Sequence, residues 1–213
     1  DGTLRNRQIV GSNNIIDKSI VKEYVYDFEG RLGLEILPVP VESLSLNYKH
    51  KFNTFKGHSV RADHFDVNSS SCLSQSIELD DNTGSSLYYS QNNTSNSLYK
   101  NHIDDAKGYP YIQNQYTNDL TGNILRQSGP SKTFSIGSGR EEVYYYEDVS
   151  NNRIQRIFGS EVGINSHYSK NLTKDANGQF TSSYLDINDN IIAKSMLGDS
   201  PASLKDLDSN TYL

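Results

Sequence analysis

A short polar spacing, Asp followed three residues later by Gly, recurs along this chain and most constrains what it can fold into. It stands at Asp27-Phe28-Glu29-Gly30, Asp81-Asn82-Thr83-Gly84, Asp119-Leu120-Thr121-Gly122 and Asp175-Ala176-Asn177-Gly178. It returns in altered form at Asp186-Ile187-Asn188-Asp189-Asn190, where Asp-Asn replaces Gly. Asp at the first turn position accepts hydrogen bonds from N–H groups two or three residues on, and Gly at the fourth tolerates positive φ. A chain that repeats such a turn between strand-forming runs is predicted to assemble one surface out of hairpins.

Composition agrees with that reading. Only 34% of the 213 residues are hydrophobic, 15 residues are Tyr, and Trp is absent. Tyr, Thr, Val and Ile suit a pleated, half-buried surface, whereas Ala, which favours helices, is sparse. The fold class expected is mainly β, made of antiparallel hairpins and a meander with one or two short helices. Regular strand and turn spacing argues against disorder. The formal net charge of −6 comes with both signs interspersed and no basic stripe. A nucleic-acid partner, which needs a basic face to release counterions, is therefore excluded. Cys72 stands alone, which excludes an internal disulfide and a cysteine zinc site. No apolar run reaches the roughly 18–20 residues of a membrane span. The opening at Asp1-Gly2-Thr3 and the close at Leu213 lead to the expectation of a piece of a larger or processed polypeptide.

Residues 1–20 read as a weakly structured lead-in, and 21–213 as a single β-sheet segment. Val21 to Tyr26 alternates, with Lys22, Tyr24 and Tyr26 on one face and Glu23 and Val25 on the other. After the Asp27 turn a second strand runs to Pro38-Val39-Pro40, which is expected to end sheet pairing. Leu44-Ser45-Leu46-Asn47-Tyr48-Lys49 alternates and predicts another strand. Ile77–Asp80 and Ser86–Ser90 predict a hairpin about the Asp81 turn, and Tyr109–Thr117 and Asn123–Gln127 one about Asp119. Residues 66–76 and the Gln91–Ser97 tract read as loops. Asn152–Gly159 predicts a short helix, with Asn capping it and Gly ending it. Residues 167–175, 179–186 and 190–196 predict a three-stranded meander, and Ser200-Pro201 a helical turn through Leu207.

Tyr26-Asp27-Phe28-Glu29-Gly30-Arg31-Leu32 resembles the signature of the YD-repeat, or Rhs, family: a Tyr-Asp pair, two variable residues, then Gly and Arg. Tyr184-Leu185-Asp186 with Ile191-Ile192-Ala193 resembles a diverged copy. Phe158 to Gly163, Asp175 to Gln179 and Leu197 to Pro201 resemble the region before or at the start of the repeat array in very large secreted proteins of gram-negative bacteria. The resemblance implies a strip of antiparallel sheet in a hollow β-shell that encloses a C-terminal cargo or toxin. The function expected is that of a non-enzymatic structural segment of a secreted or cell-surface protein. Its partners would be other segments of the same polypeptide, and beyond them a bacterial secretion machinery or surface proteins. Tyr26, Asp27, Gly30, Arg31, Asp81, Gly84, Asp119, Gly122, Asp175, Gly178, Tyr184 and Asp186 are then structural turn residues. No catalytic, cofactor or metal residue is assigned. The family's self-cleaving Asp-Pro-x-Gly-Leu motif has its nearest match at Asp119 to Asn123, which lacks the Pro and the Leu.

Other chemistry weighs less. His50, His58, His64, His102 and His167 are scattered, and the densest group, His58 and His64 with Asp63 and Asp66, reads as a polar loop. Asp186, Asn188 and Asn190 alternate as calcium-loop ligands do, but Ile191 stands where Gly is needed and Leu197 where Glu is needed. Asp206, Asp208 and Asn210 repeat the alternation. Gly129 to Thr133 lacks the Gly before Lys of a phosphate loop. Tyr88-Tyr89 and Tyr144-Tyr145-Tyr146 alternate faces, so each cluster places at least one ring inward. The second function class is a cell-surface adhesin or carbohydrate-binding β module, with loop Tyr, Asn and Asp residues meeting a glycan.

Overall fold

The computed structural model describes residues 4–13, 15, 17–66, 75–94 and 100–198. Eleven β-strands and three short α-helices stand among them, so the chain is mainly β. It divides into two compact units, residues 1–142 and 143–213. Within the lead-in, β1 (Gln8–Asn13) pairs with β2 (Lys18–Tyr26) from Gln8↔Glu23 to Asn13↔Lys18. Residues 67–74 of the expected 66–76 loop, the Gln91–Ser97 tract beyond Thr94 and the Ser200–Leu207 turn lie outside the described residues. No helix among the described residues is long and apolar enough to cross a membrane.

The first unit is an antiparallel sheet of order β1, β2, β3 (Leu32–Val41), β6 (Tyr111–Tyr116) and β7 (Ile124–Gln127). In β2 the two-residue period buries Ser19, Val21, Glu23 and Val25 and leaves Lys22, Tyr24 and Tyr26 half-exposed. The buried face meets the excursion of residues 42–110 that joins β3 to β6. This excursion holds the two-residue strands β4 (Thr54–Phe55) and β5 (His58–Ser59), α1 (Ala62–Phe65) and α2 (Gly84–Tyr88). Val60, Phe65, Ile77 and Leu79 from the excursion pack on Val25, Leu34, Ile36 and Tyr111 of the sheet.

Three expectations in this unit are corrected. Pairing does not end at the prolines, since Val21↔Val39, Ile20↔Pro40 and Ser19↔Val41 continue it. β6 pairs only with Leu34 to Ile36, so beyond that point β3 is an edge strand, where a missing N–H is tolerated. Residues 44–49 are irregular, not a strand. Their alternation is real, but it turns Leu44, Leu46 and Tyr48 outward and Ser43 and Ser45 inward, with no neighbouring ladder. The hairpin about Asp81 is absent, because Gly84 opens α2 and 77–80 is irregular. Asn53 Oδ1 accepts from Ser85 N at 2.8 Å, so a side chain from another segment caps that helix. A Cβ at Gly84 would lie 2.2 Å from the Phe52 carbonyl oxygen, so close approach requires this glycine.

Buried polar groups fasten the excursion to the sheet. Glu23 accepts from Gln8 Nε2 and Asn53 Nδ2, each at 2.7 Å, and burial raises its carboxyl above the usual value. The Tyr111 hydroxyl donates to Ile77 O at 2.6 Å and accepts from Ile77 N at 2.9 Å, 1% exposed, and burial pushes its phenol up. Tyr111→Phe strands both backbone groups of Ile77 in the core. It is expected to lower the unfolding free energy by about 2 kcal/mol, with faster amide exchange at Ile77 as the local check.

The second unit runs β8 (Glu142–Asp148), β9 (Ser169–Lys174), β10 (Phe180–Leu185) and β11 (Ile191–Leu197), all antiparallel and in sequence order. β9 to β11 are the expected three-stranded meander. The expected helix is α3 (Asn151–Phe158), with Ser150 in place of the expected Asn at its N-cap position, no side-chain cap hydrogen bond there, and Gly159 ending it at φ +90°; α1 and α2 are additional to it. Val149, Ile154 and Tyr184 form the core, with Phe158, Val162, Tyr168 and Ala193 packed on it. β11 ends the strand order, and Ile191, Ile192, Met196 and Leu197 on it are exposed, Met196 by 72%.

Candidate functional site

The Asp27 turn joins backbone, carboxylate and guanidinium contacts in one motif. Asp27 N donates to Arg31 O at 2.9 Å and Gly30 N to Asp27 O at 3.0 Å, which closes the β2–β3 hairpin. Gly30 sits at φ +81°, the left-handed region where a Cβ is unfavourable. The Asp27 carboxylate accepts from Arg31 N and Arg31 Nε, each at 2.7 Å. Arg31 Nη1 pairs with Glu29 at 2.9 Å. The same guanidinium lies 4.4 Å from the Tyr116 ring centroid, a cation–π contact, and Tyr116 Oη donates to Leu32 O at 3.0 Å. Asp27, Gly30 and Arg31 thus form the hairpin and also tie it to β6. Tyr26 lies on the opposite face from the core and donates to Asn6 O.

The turn recurs in the second unit. Gly178 N donates to Asp175 O at 3.0 Å, Asp175 N donates to Gln179 O at 2.9 Å, and the Asp175 carboxylate accepts from Asn177 N and Gln179 N. Asp186 repeats the pattern with Asp189 in the glycine position at φ +61°. Hydrogen bonds from the Asn190 side chain and then its backbone hold the Asp186 carboxyl below the usual value. Those bonds engage the carboxylate in the turn. Tyr184 stands two residues before its Asp and Tyr26 one, so the two rings differ in place. Tyr184 is buried in the core, and its hydroxyl accepts from Arg153 Nε at 2.8 Å.

Two members of the set depart from the pattern. At Asp119 the loop closes from Thr117 N to Asn123 O, with Leu120 at φ +62° and Gly122 at +76°. Asp119 lies inside that loop and accepts from the hydroxyls of Thr117 and Thr121 and from Thr121 N. These bonds, Thr117 first, lower its carboxyl to about 2. The folded value lies below the unfolded one, so the contribution is present above the ordinary carboxylate range and fades as pH falls toward 2. NMR titration of the Asp119 carboxyl carbon should give a midpoint near 2. A midpoint near 3.9, the free Asp value, would contradict these bonds. Asp81 and Gly84 lead into α2. The twelve expected turn residues are therefore distributed over separate turns and not gathered into one site.

Asp81 does border a cleft that sequence reasoning missed. Lys51, Thr54, Gly57, Asp80, Asp81, Asn82 and Thr83 line about 530 Å³. Its floor is fixed. Asp80 Oδ1 accepts from Lys56 N and Oδ2 from Gly57 N, each at 2.9 Å, and the Thr54 and Thr83 hydroxyls are 2.9 Å apart. The Thr54 hydroxyl, then the Gly57 and Lys56 amides, hold the Asp80 carboxyl below its usual value. The only signal in the sequence is the Asp80-Asp81-Asn82-Thr83 run itself, because Lys51 and Gly57 are brought there by the fold.

Of the His58, Asp63, His64 and Asp66 group, His64 Nε2 and Asp63 Oδ1 lie 4.0 Å apart. His64 Nδ1 accepts from Arg61 N at the start of α1, and Asp66 accepts from Phe28 N. Among the described residues no three His, Cys, Asp or Glu side chains are grouped to hold a metal. Of the paired tyrosines, Tyr89 donates to Pro38 O, while Tyr145 and Tyr146 are each 41% exposed. Compared with known proteins, the chain matches no family model and no curated protein sequence.

Proposed function

We propose that this chain is a non-enzymatic structural segment of a large secreted or cell-surface YD-repeat protein of a gram-negative bacterium. It contributes strands to a hollow β-shell whose interior holds a C-terminal cargo or toxin. The observation that carries the reading is the Tyr26-Asp27-x-x-Gly30-Arg31 unit, whose Asp closes one hairpin while its Arg reaches the next strand through Tyr116. A motif that links consecutive hairpins suits a sheet extended by repetition. The exposed apolar residues of β11 support it as well, since a strand with apolar side chains on both faces suits a sheet that continues. The partners are then other segments of the same polypeptide, with secretion or surface proteins outside the shell.

A strip of shell taken alone is expected to be insoluble or unfolded, because its edges lack partners. Each unit buries a core of its own, which narrows the expectation to association through open edges. Light scattering of the isolated 213 residues should show concentration-dependent association that is relieved when following strands of the parent polypeptide are fused on. A monomer at all concentrations would sink the reading.

A further inference from the structure

We propose that the cleft beside Asp80 binds a neutral, polyhydroxylated ligand, a short glycan. The inference stands apart from the shell reading, because it depends on the first unit's own side chains. At about 530 Å³ the cleft falls within the roughly 300–1,000 Å³ of small-molecule sites. Its floor is set before any ligand arrives. Asp80 is locked by two backbone amides, and Thr54, 5% exposed, shares a hydroxyl contact with Thr83. The rim differs. Lys51, Asp81 and Asn82 are exposed, and their side chains take part in none of the ion pairs or hydrogen bonds among the described residues.

The mixture of groups selects the ligand class. An anion would face the carboxylates of Asp80 and Asp81. A divalent cation would meet the Lys51 ammonium, and among the described residues no three His, Cys, Asp or Glu side chains are grouped there to hold it. An apolar ligand would desolvate these polar groups without pairing them. A hydroxyl both donates and accepts, so one polyol can pair with an ammonium, carboxylates, a carboxamide and threonine hydroxyls together. Charge of both signs at the rim then helps, because each sign meets the opposite end of an O–H dipole.

The test uses the full chain on an array of neutral mono- to tetrasaccharides, followed by amide NMR titration with the strongest binder. Ca²⁺ and inorganic phosphate are titrated separately. Saturable saccharide binding that shifts the amides of Gly57, Asp81, Asn82 and Thr83 is expected. Asp81→Ala and Asn82→Ala should each weaken it about tenfold, the size of one lost hydrogen bond, with the circular dichroism unchanged. The proposal is overturned if no saccharide binds saturably, or if binding is indifferent to both substitutions. It is equally overturned if only Ca²⁺ or phosphate shifts those amides.

Discussion

Replacing Phe65 with Ala is expected to lower the unfolding free energy by about 3–5 kcal/mol, the usual cost of emptying a buried aromatic site. Phe65 is 1% exposed and lies in the cluster where the 42–110 excursion meets the sheet. Its ring sits over Gly33, where an added Cβ would come within 2.5 Å of it. The ring therefore fills the space over Gly33 that the strand leaves free of a side chain. Urea denaturation followed by far-ultraviolet circular dichroism measures the change. A loss below about 1 kcal/mol would mean that the excursion is held to the sheet by other contacts.

Asp27→Ala is expected to lower the unfolding free energy by about 3 kcal/mol, from charge-assisted hydrogen bonds worth roughly 1.5–3 kcal/mol each and not fully additive. The Asp27 side chain is 5% exposed and holds both the Arg31 amide and its guanidinium. Without it the Arg31 head group loses the anchor that keeps it over Tyr116. Asp175 makes the corresponding backbone bonds, with no cation on its carboxylate among the described residues. Asp175→Ala should therefore cost less, about 1 kcal/mol. The same denaturation series tests the ranking, and equal losses would show that the Arg31 link adds nothing.

What could be read from the sequence follows how local each cause is. The β2–β3 hairpin was legible because Lys22 to Tyr26 alternates and Asp27, Gly30 and Arg31 close the turn within five residues. The β9–β10–β11 meander was legible for the same reason. α2 was not, since the side chain that accepts from its first-turn amide is Asn53, which lies far off in sequence. Nor was the fate of Leu44 to Lys49, where alternation correctly separates two faces but cannot say whether a partner strand lies alongside. The prolines misled because their effect depends on whether β6 extends past Ile36, a matter of tertiary register. The cleft needed the fold outright. Lys51 and Gly57 reach Asp80 to Thr83 only because the excursion bends back, with Asp80 N bonded to Thr54 O.

The assignment to a continuing β-shell is tested most directly by the association state of the isolated chain across a concentration series, measured by light scattering beside a version extended by following strands. The shell account predicts that the isolated chain associates and that the extension suppresses it, with Met196→Lys on β11 also reducing association. A chain that stays monomeric throughout and unfolds in one cooperative transition, unaffected by extension, would contradict it.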